Sequence, residues 1–206
     1  MFRQLSAATF APVVWFGALL IGGLLFPGYD HGLQLPSELG AVGAPHPAVF
    51  NAGIVVTGLL LGFGAPGLTH GALRLGSNRV WAGALLVTIL LPGVYFILVG
   101  LIPLPDPRHN ALFPLLLPLQ FGPFALTFGL RDQPAARHLR QGLLATGGLL
   151  LLFLAIALLA GEWVASWQGA FIRVYALLGL GWVAVSAARL KGWLRQLTGE
   201  ASVIAI

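Results

Sequence analysis

The chain has 206 residues, of which 58% are hydrophobic and only 8% are charged, whereas soluble domains average about 25% charged residues. This number of charged side chains is too small to cover the surface of a soluble globular protein. The composition therefore excludes a soluble protein and indicates an integral membrane protein. The formal charge of +5 does not indicate a nucleic-acid partner, because the basic residues are spread over short loops instead of forming one patch. The chain has no cysteine, which excludes disulfides, thiolate ligands and cysteine nucleophiles.

Six apolar segments follow one another along the chain, and each is long enough to cross a bilayer core about 30 Å thick. Because the bilayer offers no partner for free backbone N–H and C=O groups, only helices or a closed barrel can span it, and these segments lack the alternation of barrel strands. The sequence therefore predicts an all-α, polytopic six-helix bundle that forms a single domain over residues 1–206. The predicted spans are about residues 9–26, 47–67, 80–102, 111–130, 143–160 and 170–188.

The basic residues predict the orientation of the bundle. One end collects nine of the 11 Lys and Arg residues, namely Arg3, Arg74, Arg79, Arg131, Arg137, Arg140, Arg189, Lys191 and Arg195. Since cytoplasmic loops carry the excess of Lys and Arg, this end is predicted to be cytoplasmic, with both termini on that side of a bacterial inner membrane. The amphipathic tail over residues 191–206 is predicted to lie as an interfacial helix on the inner leaflet.

The opposite, outer end holds the long polar loop 27–46 and most of the carboxylates. No acid, lysine or histidine lies near the middle of a predicted span, which does not favour an ion-coupled carrier or a proton pump. We therefore expect any ligand binding or catalysis that uses polar groups at this outer end of the bundle, which we call the outer mouth. The candidate ligand-binding residues are Ser37, Glu38, His46, Asn51, Asp106, His109, Gln120 and Arg173.

The fourth span contains Pro114, Pro118 and Pro123, and each proline removes a backbone donor and disrupts a helical hydrogen bond. A kinked helix is expected, which either lines a cleft with Gln120 as its polar contact or bends while Gln120 bonds an adjacent span. In the second span, Gly58 and Gly62 have the spacing that lets membrane helices approach closely. This spacing favours tight packing within the bundle and is equally compatible with a dimer.

A zinc site is the sharpest catalytic hypothesis for the outer mouth. Zinc binds imidazole and carboxylate groups and activates a water molecule for hydrolysis, and the candidate ligands are His31, His46 and His109, with nearby carboxylates. No paired HExxH spacing is present. The alternative is structural: Ser37 caps a short helix, Asp106 caps the helix that Pro107 begins, and Asn51 bonds a neighbouring helix or the loop above it.

Two stretches of the sequence resemble a known family. They are the segment PSELGAVGAPHPAVFNAGIVVTG and the residues that precede the fourth span. The residues concerned are Ser37 to Gly40, the pair Phe50-Asn51, and then Gly100, Pro103, Asp106 and His109. This pattern resembles an uncharacterised bacterial and archaeal membrane family, domain of unknown function 998. The resemblance implies a six-span fold over nearly the whole chain. It implies no established activity, so no catalytic residue follows from it.

Three hypotheses for function follow. The preferred one is an outward-facing pocket that binds a membrane lipid or another amphiphile without covalent chemistry. The second is a metal-dependent hydrolase of membrane lipid that uses the outer His and carboxylate groups, with zinc as its cofactor. The third is a structural or assembly subunit that packs through glycine-rich faces, as a homo-oligomer or within a membrane complex.

Overall fold

The computed structural model describes residues 1–199, which form helices joined by short loops, with no strand among them. Six helices or helical segments are long and apolar enough to cross a membrane, so the predicted all-α, six-span architecture is confirmed. Four are continuous: α1 (Phe2–Leu24), α2 (Pro47–Arg74), α3 (Arg79–Leu101) and α8 (Gln168–Leu197). The fifth span is α6 (Arg137–Leu159), which the short 3-10 helix Pro134–Ala136 precedes. The small helix α7 (Gly161–Ala165) lies between α6 and α8.

The fourth span, Pro107–Gly129, is broken and not merely kinked. It consists of α4 (Pro107–Ala111), two 3-10 helices (Phe113–Leu115 and Leu117–Gln120) and α5 (Gly122–Gly129). Pro114, Pro118 and Pro123 each occupy the first or second position of the segment in which they lie. A proline is tolerated there because those positions have no intrahelical partner for a backbone N–H. Three prolines at short intervals therefore restart the helix instead of bending it once.

Small residues allow α2 to pack closely against both of its sequence neighbours. A Cβ added at Gly58 would lie 2.5 Å from the backbone oxygen of Gly93 in α3. On the opposite side, a Cβ at Gly64 would lie 2.7 Å from the Cβ of Ala8 in α1. Close backbone approach is how membrane helices gain packing energy in apolar surroundings. The expected role in bundle packing is confirmed for Gly58, whereas a Cβ at Gly62 would meet nothing within 4 Å.

The C-terminal part of α8 differs from the predicted interfacial tail over 191–206. Residues 191–197 continue α8 without a break. They remain on the bundle because Leu190 and Leu194 lie against Gly71 of α2, and Lys191 Nζ donates to Ser6 Oγ over 2.6 Å. The fall in hydropathy after residue 188 marks the end of the apolar stretch and not the end of the helix. The segment from residue 200 onward lies outside the described residues.

The two ends of the bundle differ in composition, and we name them accordingly. The loop end carries loop 27–46 and residues 102–106, and the basic end carries the N-terminus of α1 and the C-terminus of α8. Around the sides, large apolar residues face outward: Leu158 and Leu159 at the end of α6 are 75% and 87% exposed. An exterior of this kind suits lipid and not water.

Candidate ligand cavity

A cavity of about 490 Å³ lies inside the bundle towards the loop end. All six spans contribute to its wall, together with residues 35–37 of the long loop. Eight aromatic side chains line it: Trp15, Phe50, Tyr95, Phe96, Phe113, Phe153, Phe171 and Tyr175. Its volume is within the range of about 300–1,000 Å³ that small-molecule sites occupy.

The polar groups in the cavity wall are few and carry no fixed charge. Among the described residues they are Ser37, Asn51, Tyr95, His109, Asn110 and Tyr175, and none of the lining residues is Asp, Glu, Lys or Arg. Within residues 1–199, the hydroxyls of Ser37, Tyr95 and Tyr175 make no hydrogen bond to another side chain or to the backbone. An apolar site with a small number of polar groups that fix orientation is the usual composition of a ligand pocket.

His109 is oriented by the backbone and supplies an acceptor to this wall. It is only 9% exposed, and its Nδ1 lies 2.7 Å from the carbonyl oxygen of Ile102. Because a carbonyl oxygen only accepts, Nδ1 must carry the hydrogen, and Nε2 of the neutral ring is then an acceptor. The wall therefore combines hydroxyl donors with an imidazole acceptor.

Arg173 of α8 fastens the first half of loop 27–46 over the cavity. Its Nη1 donates to the carbonyl oxygens of Gln34 (3.0 Å) and Gly169 (2.7 Å), and its Nη2 donates to the Tyr29 hydroxyl (2.8 Å). The Tyr29 hydroxyl in turn donates to the carbonyl of Leu35 over 2.9 Å. This chain of bonds joins α8 to the residues that begin the cavity wall.

The surroundings of Arg173 also shift the pKa values of two titratable groups in the loop, Tyr29 and His31. Burial raises the pKa of Tyr29 above its ordinary value, although the charge of Arg173 acts in the opposite direction. Burial and then the Arg173 charge lower the pKa of His31. The His31 Nδ1 lies 3.1 Å from Arg173 Nη2, so the neutral imidazole is the form that suits this contact.

The second half of the loop is held by α2 and by the connection between α3 and α4. Asn51 Nδ2 donates to the carbonyl of Gly40 over 2.9 Å, so of its two predicted partners, a neighbouring helix or the loop above it, the structure shows the loop. The backbone N–H of Val42 donates to the carbonyl of Leu104 over 2.8 Å. A Cβ at Gly100 would lie 2.9 Å from the carbonyl oxygen of Asn51, so α3 also approaches closely here.

The predicted ligand-binding residues divide into two groups. Ser37, Asn51 and His109 line the cavity. The other five lie outside its wall: Glu38, His46, Asp106, Gln120 and Arg173.

Two of the outlying residues cap short helices. Glu38 accepts from the backbone N–H of Leu35 over 2.7 Å at the start of the 3-10 helix Pro36–Gly40. Leu35 is the N-cap of that helix, so the expectation that Ser37 caps it is wrong; Ser37 lies inside it, because Pro36 already begins the helix. Asp106 caps α4 by accepting from Arg108 N over 2.9 Å, as predicted. Hydrogen bonds from the Arg108 side chain hold the pKa of Asp106 at about 2.

Gln120 follows neither of its two predicted roles. It is fully buried, and its Nε2 donates to the Leu117 carbonyl three residues earlier in the same span. Its Oε1 has no hydrogen-bond partner within residues 1–199. The Nε2 group of this amide finds its hydrogen-bond acceptor within the broken fourth span, because a 3-10 turn brings the Leu117 carbonyl close to it.

The three histidines of the zinc hypothesis occupy separate positions. His31 contacts Arg173, His46 is the N-cap of α2, and His109 is bonded to the Ile102 carbonyl. In the part of the chain that the structure describes, no three His, Asp or Glu side chains form a group that could hold a metal ion. The geometry thus gives the zinc hypothesis no ligand set.

Sequence analysis missed Tyr95, Tyr175 and Asn110, which line the cavity. The two tyrosines lie within the apolar spans α3 and α8, outside the loops at which the sequence predicts polar chemistry. A hydroxyl inside an apolar span was the available signal, since a buried tyrosine usually finds a polar partner. Only the arrangement of the six spans around the cavity shows that both tyrosines face it.

Comparison with known proteins gives a family and no closer relative. No curated protein and no solved structure matches the chain. The model of the family described as protein of unknown function, DUF998, matches residues 9–189. The segments that carried the resemblance meet around the cavity: Ser37 and His109 line it, and Asn51 both lines it and bonds Gly40. The match covers most of the sequence, and the chain belongs to the DUF998 family.

Proposed function

We propose that the cavity binds the apolar part of an amphiphile whose headgroup is uncharged and carries a hydroxyl or carbonyl group. The observation that carries this proposal is the composition of the wall, which is aromatic and apolar with polar groups but without Asp, Glu, Lys or Arg. Burying a charged headgroup without an opposite charge costs several kcal/mol or more. An uncharged head avoids this cost and can use both the tyrosine donors and the His109 acceptor.

The proposed setting is a bacterial inner membrane, with loop 27–46 on the outer side and both termini in the cytoplasm. The distribution of Lys and Arg supports this orientation. The ligand would then enter from the outer leaflet or from the outer face. In this proposal the protein binds its ligand without covalent chemistry, since Ser37 has neither a histidine base nor an acid bonded to it among the described residues.

The test uses the full chain in phosphatidylcholine nanodiscs, with thermal unfolding as the measurement. The four probes have acyl or alkyl chains of the same length. Two are uncharged, a monoacylglycerol and a fatty alcohol, and two are charged, a fatty acid and an alkylammonium. Selective binding to the folded state raises the unfolding temperature, and a ligand at about 100 times its Kd adds about 2.7 kcal/mol. The uncharged probes are expected to raise it and the charged probes to have little effect.

A matched pair of variants on α6 locates the binding. Ala157 lines the cavity although it is itself exposed, whereas its neighbour Leu158 is 75% exposed and does not line the cavity. Ala157→Phe is expected to abolish the shift by filling the cavity, and Leu158→Phe is expected to keep it. The proposal fails if no uncharged probe changes the unfolding temperature, or if Ala157→Phe responds as Leu158→Phe does.

A further inference from the structure

A second groove lies at the basic end, between α6 and α8, and is separate from the cavity just described. Its volume is about 480 Å³. Ala135, His138 and Thr146 are on one wall, and Leu177, Arg189 and Trp193 are on the other. No residue lines both this groove and the cavity at the loop end.

The groove is polar at its outer extremity and apolar along its length. His138, Arg189 and Trp193 lie where α6 begins and α8 ends, and the remaining lining towards the middle of the bundle is apolar apart from Thr146. From Ala135, just before α6, to Thr146 within it, the lining rises about 16 Å at roughly 1.5 Å per residue. This length is close to one leaflet of a hydrocarbon core about 30 Å thick.

The charge at the polar extremity is positive and not neutralised by the described residues. Among residues 1–199, no Asp or Glu lines the groove. Within residues 1–199, Arg189 has no ion pair, and the Asp132 carboxylate of the same end pairs with Arg131, with 3.3 Å between Asp132 Oδ2 and Arg131 Nε. Basic pockets between membrane helices are suited to anionic lipid headgroups, and a Trp at this depth suits the interface between headgroup and chain.

We propose that this groove binds one anionic phospholipid of the leaflet at the basic end. Its phosphate lies at Arg189 and His138, beside Trp193, and one acyl chain runs between α6 and α8. The occupant is a lipid and not free phosphate because the polar extremity continues into an apolar channel of one leaflet's length. Only 17% of the apolar window of the α6 span is buried, against 39–44% in the other five spans. Such a lipid therefore has a structural role, because it fills the weak contact between α6 and α8.

The headgroup is tested in nanodiscs of phosphatidylcholine alone and of an equal mixture of phosphatidylcholine and phosphatidylglycerol. The wild-type protein is expected to unfold at a higher temperature in the mixture, and native mass spectrometry is expected to show retained phosphatidylglycerol. Arg189→Gln is expected to weaken this binding about fivefold, as one basic residue near an anionic lipid does. The control Arg79→Gln removes a basic residue from the same end but outside the groove and is expected to retain the effect.

The acyl chain is tested with glycine variants. Gly181 lines the groove, and a Cβ there would meet no other atom within 4 Å. Gly148 of α6 has equally open space but does not line the groove. Gly181→Leu is expected to lose the phosphatidylglycerol effect and Gly148→Leu to keep it. A single cooperative unfolding transition of Gly181→Leu in phosphatidylcholine nanodiscs, at a temperature close to that of the wild type, shows that this variant is folded.

Three results would overturn this inference. One is an equal loss in Arg79→Gln and Arg189→Gln, which means that diffuse surface charge accounts for the effect. Another is an equal rise when inorganic phosphate is added to the phosphatidylcholine nanodiscs. The third is an unchanged phosphatidylglycerol effect in Gly181→Leu. None of these three results depends on ligand binding in the cavity at the loop end, which is tested with different probes and with Ala157→Phe.

Discussion

At the scale of single residues, Arg173 fixes a loop that apolar packing alone would leave unspecified. It makes two bonds to backbone carbonyls and one to a hydroxyl, and these partners belong to α8 and to the loop. Hydrogen bonds from a charged group are about twice as strong as neutral ones. The position of residues 35–37 in the cavity wall therefore depends on a side chain that does not line the cavity.

The His31 contact with Arg173 predicts a pH dependence. Because the pKa of His31 in the folded protein is below its ordinary value of 6.5, the unfolded chain takes up a proton first as the pH falls. The stability that this group contributes is full above about pH 6.5 and decreases as the pH falls below that value. Thermal unfolding between pH 7 and pH 5 measures it.

His31→Gln is expected to show a smaller decrease in unfolding temperature over that interval than the wild type. His46→Gln serves as the matched control, since His46 lies in the same loop but makes no hydrogen bond through its side chain to a described residue. An identical pH slope in His31→Gln and the wild type would contradict the role given to this contact.

At the scale of elements, the two halves of the bundle are built differently. The helices α1, α2 and α3 pack through small residues at backbone distance, whereas the fourth span is divided by three prolines and α6 is weakly buried. The weakly buried α6 lines both proposed binding sites, whereas α1, α2 and α3 contribute only to the cavity at the loop end. Close packing excludes a ligand and loose packing leaves volume for one.

The packing of α2 on α3 gives a sharp comparison between two glycines of the same helix. A Cβ at Gly58 would lie 2.5 Å from the Gly93 oxygen and 2.8 Å from the Ile97 nitrogen, both backbone atoms, whereas a Cβ at Gly62 would meet nothing within 4 Å. Gly58→Ala is therefore expected to destabilise the protein by about 1–3 kcal/mol through overpacking. Thermal unfolding in a mild detergent measures the change.

Gly62→Ala is the matched control, because both variants gain the same helix propensity from the replacement of glycine. It is expected to unfold at or above the wild-type temperature. If the two variants are equally stable, α2 and α3 do not approach as closely as the structure indicates.

At the scale of the whole molecule, the orientation in the membrane is a prediction that cysteine labelling can test. The chain has no cysteine, so single cysteines can be introduced without background. Val42, which is 73% exposed in the long loop, and Asp132 at the basic end are suitable positions. With an impermeant maleimide on intact cells, Val42→Cys is expected to be labelled at once and Asp132→Cys only after the membrane is opened. The reverse pattern would invert the topology and place the cavity on the cytoplasmic side.

The sequence by itself determined the features that arise from the solvent and from local backbone chemistry. Long apolar runs in a bilayer must be helical, so the six spans followed from composition and length. The cap of α4 followed from Asp106 before Pro107, because a short acidic side chain and a proline have one favourable arrangement at a helix start. The bond from Asn51 to the loop was also predictable, since an amide one turn inside a span has few other partners.

Only the tertiary structure decided which side chains share a site. Tyr95 and Tyr175 are far apart in sequence and face the same cavity. His31 and His109 lie at the same end but bond different partners, Arg173 and the Ile102 carbonyl. The helix faces that come together depend on close backbone contacts such as Gly58 with Gly93 and on where the prolines restart the fourth span. Apolar periodicity cannot supply this information, because a helix in lipid is apolar on its outer face as well as its inner one.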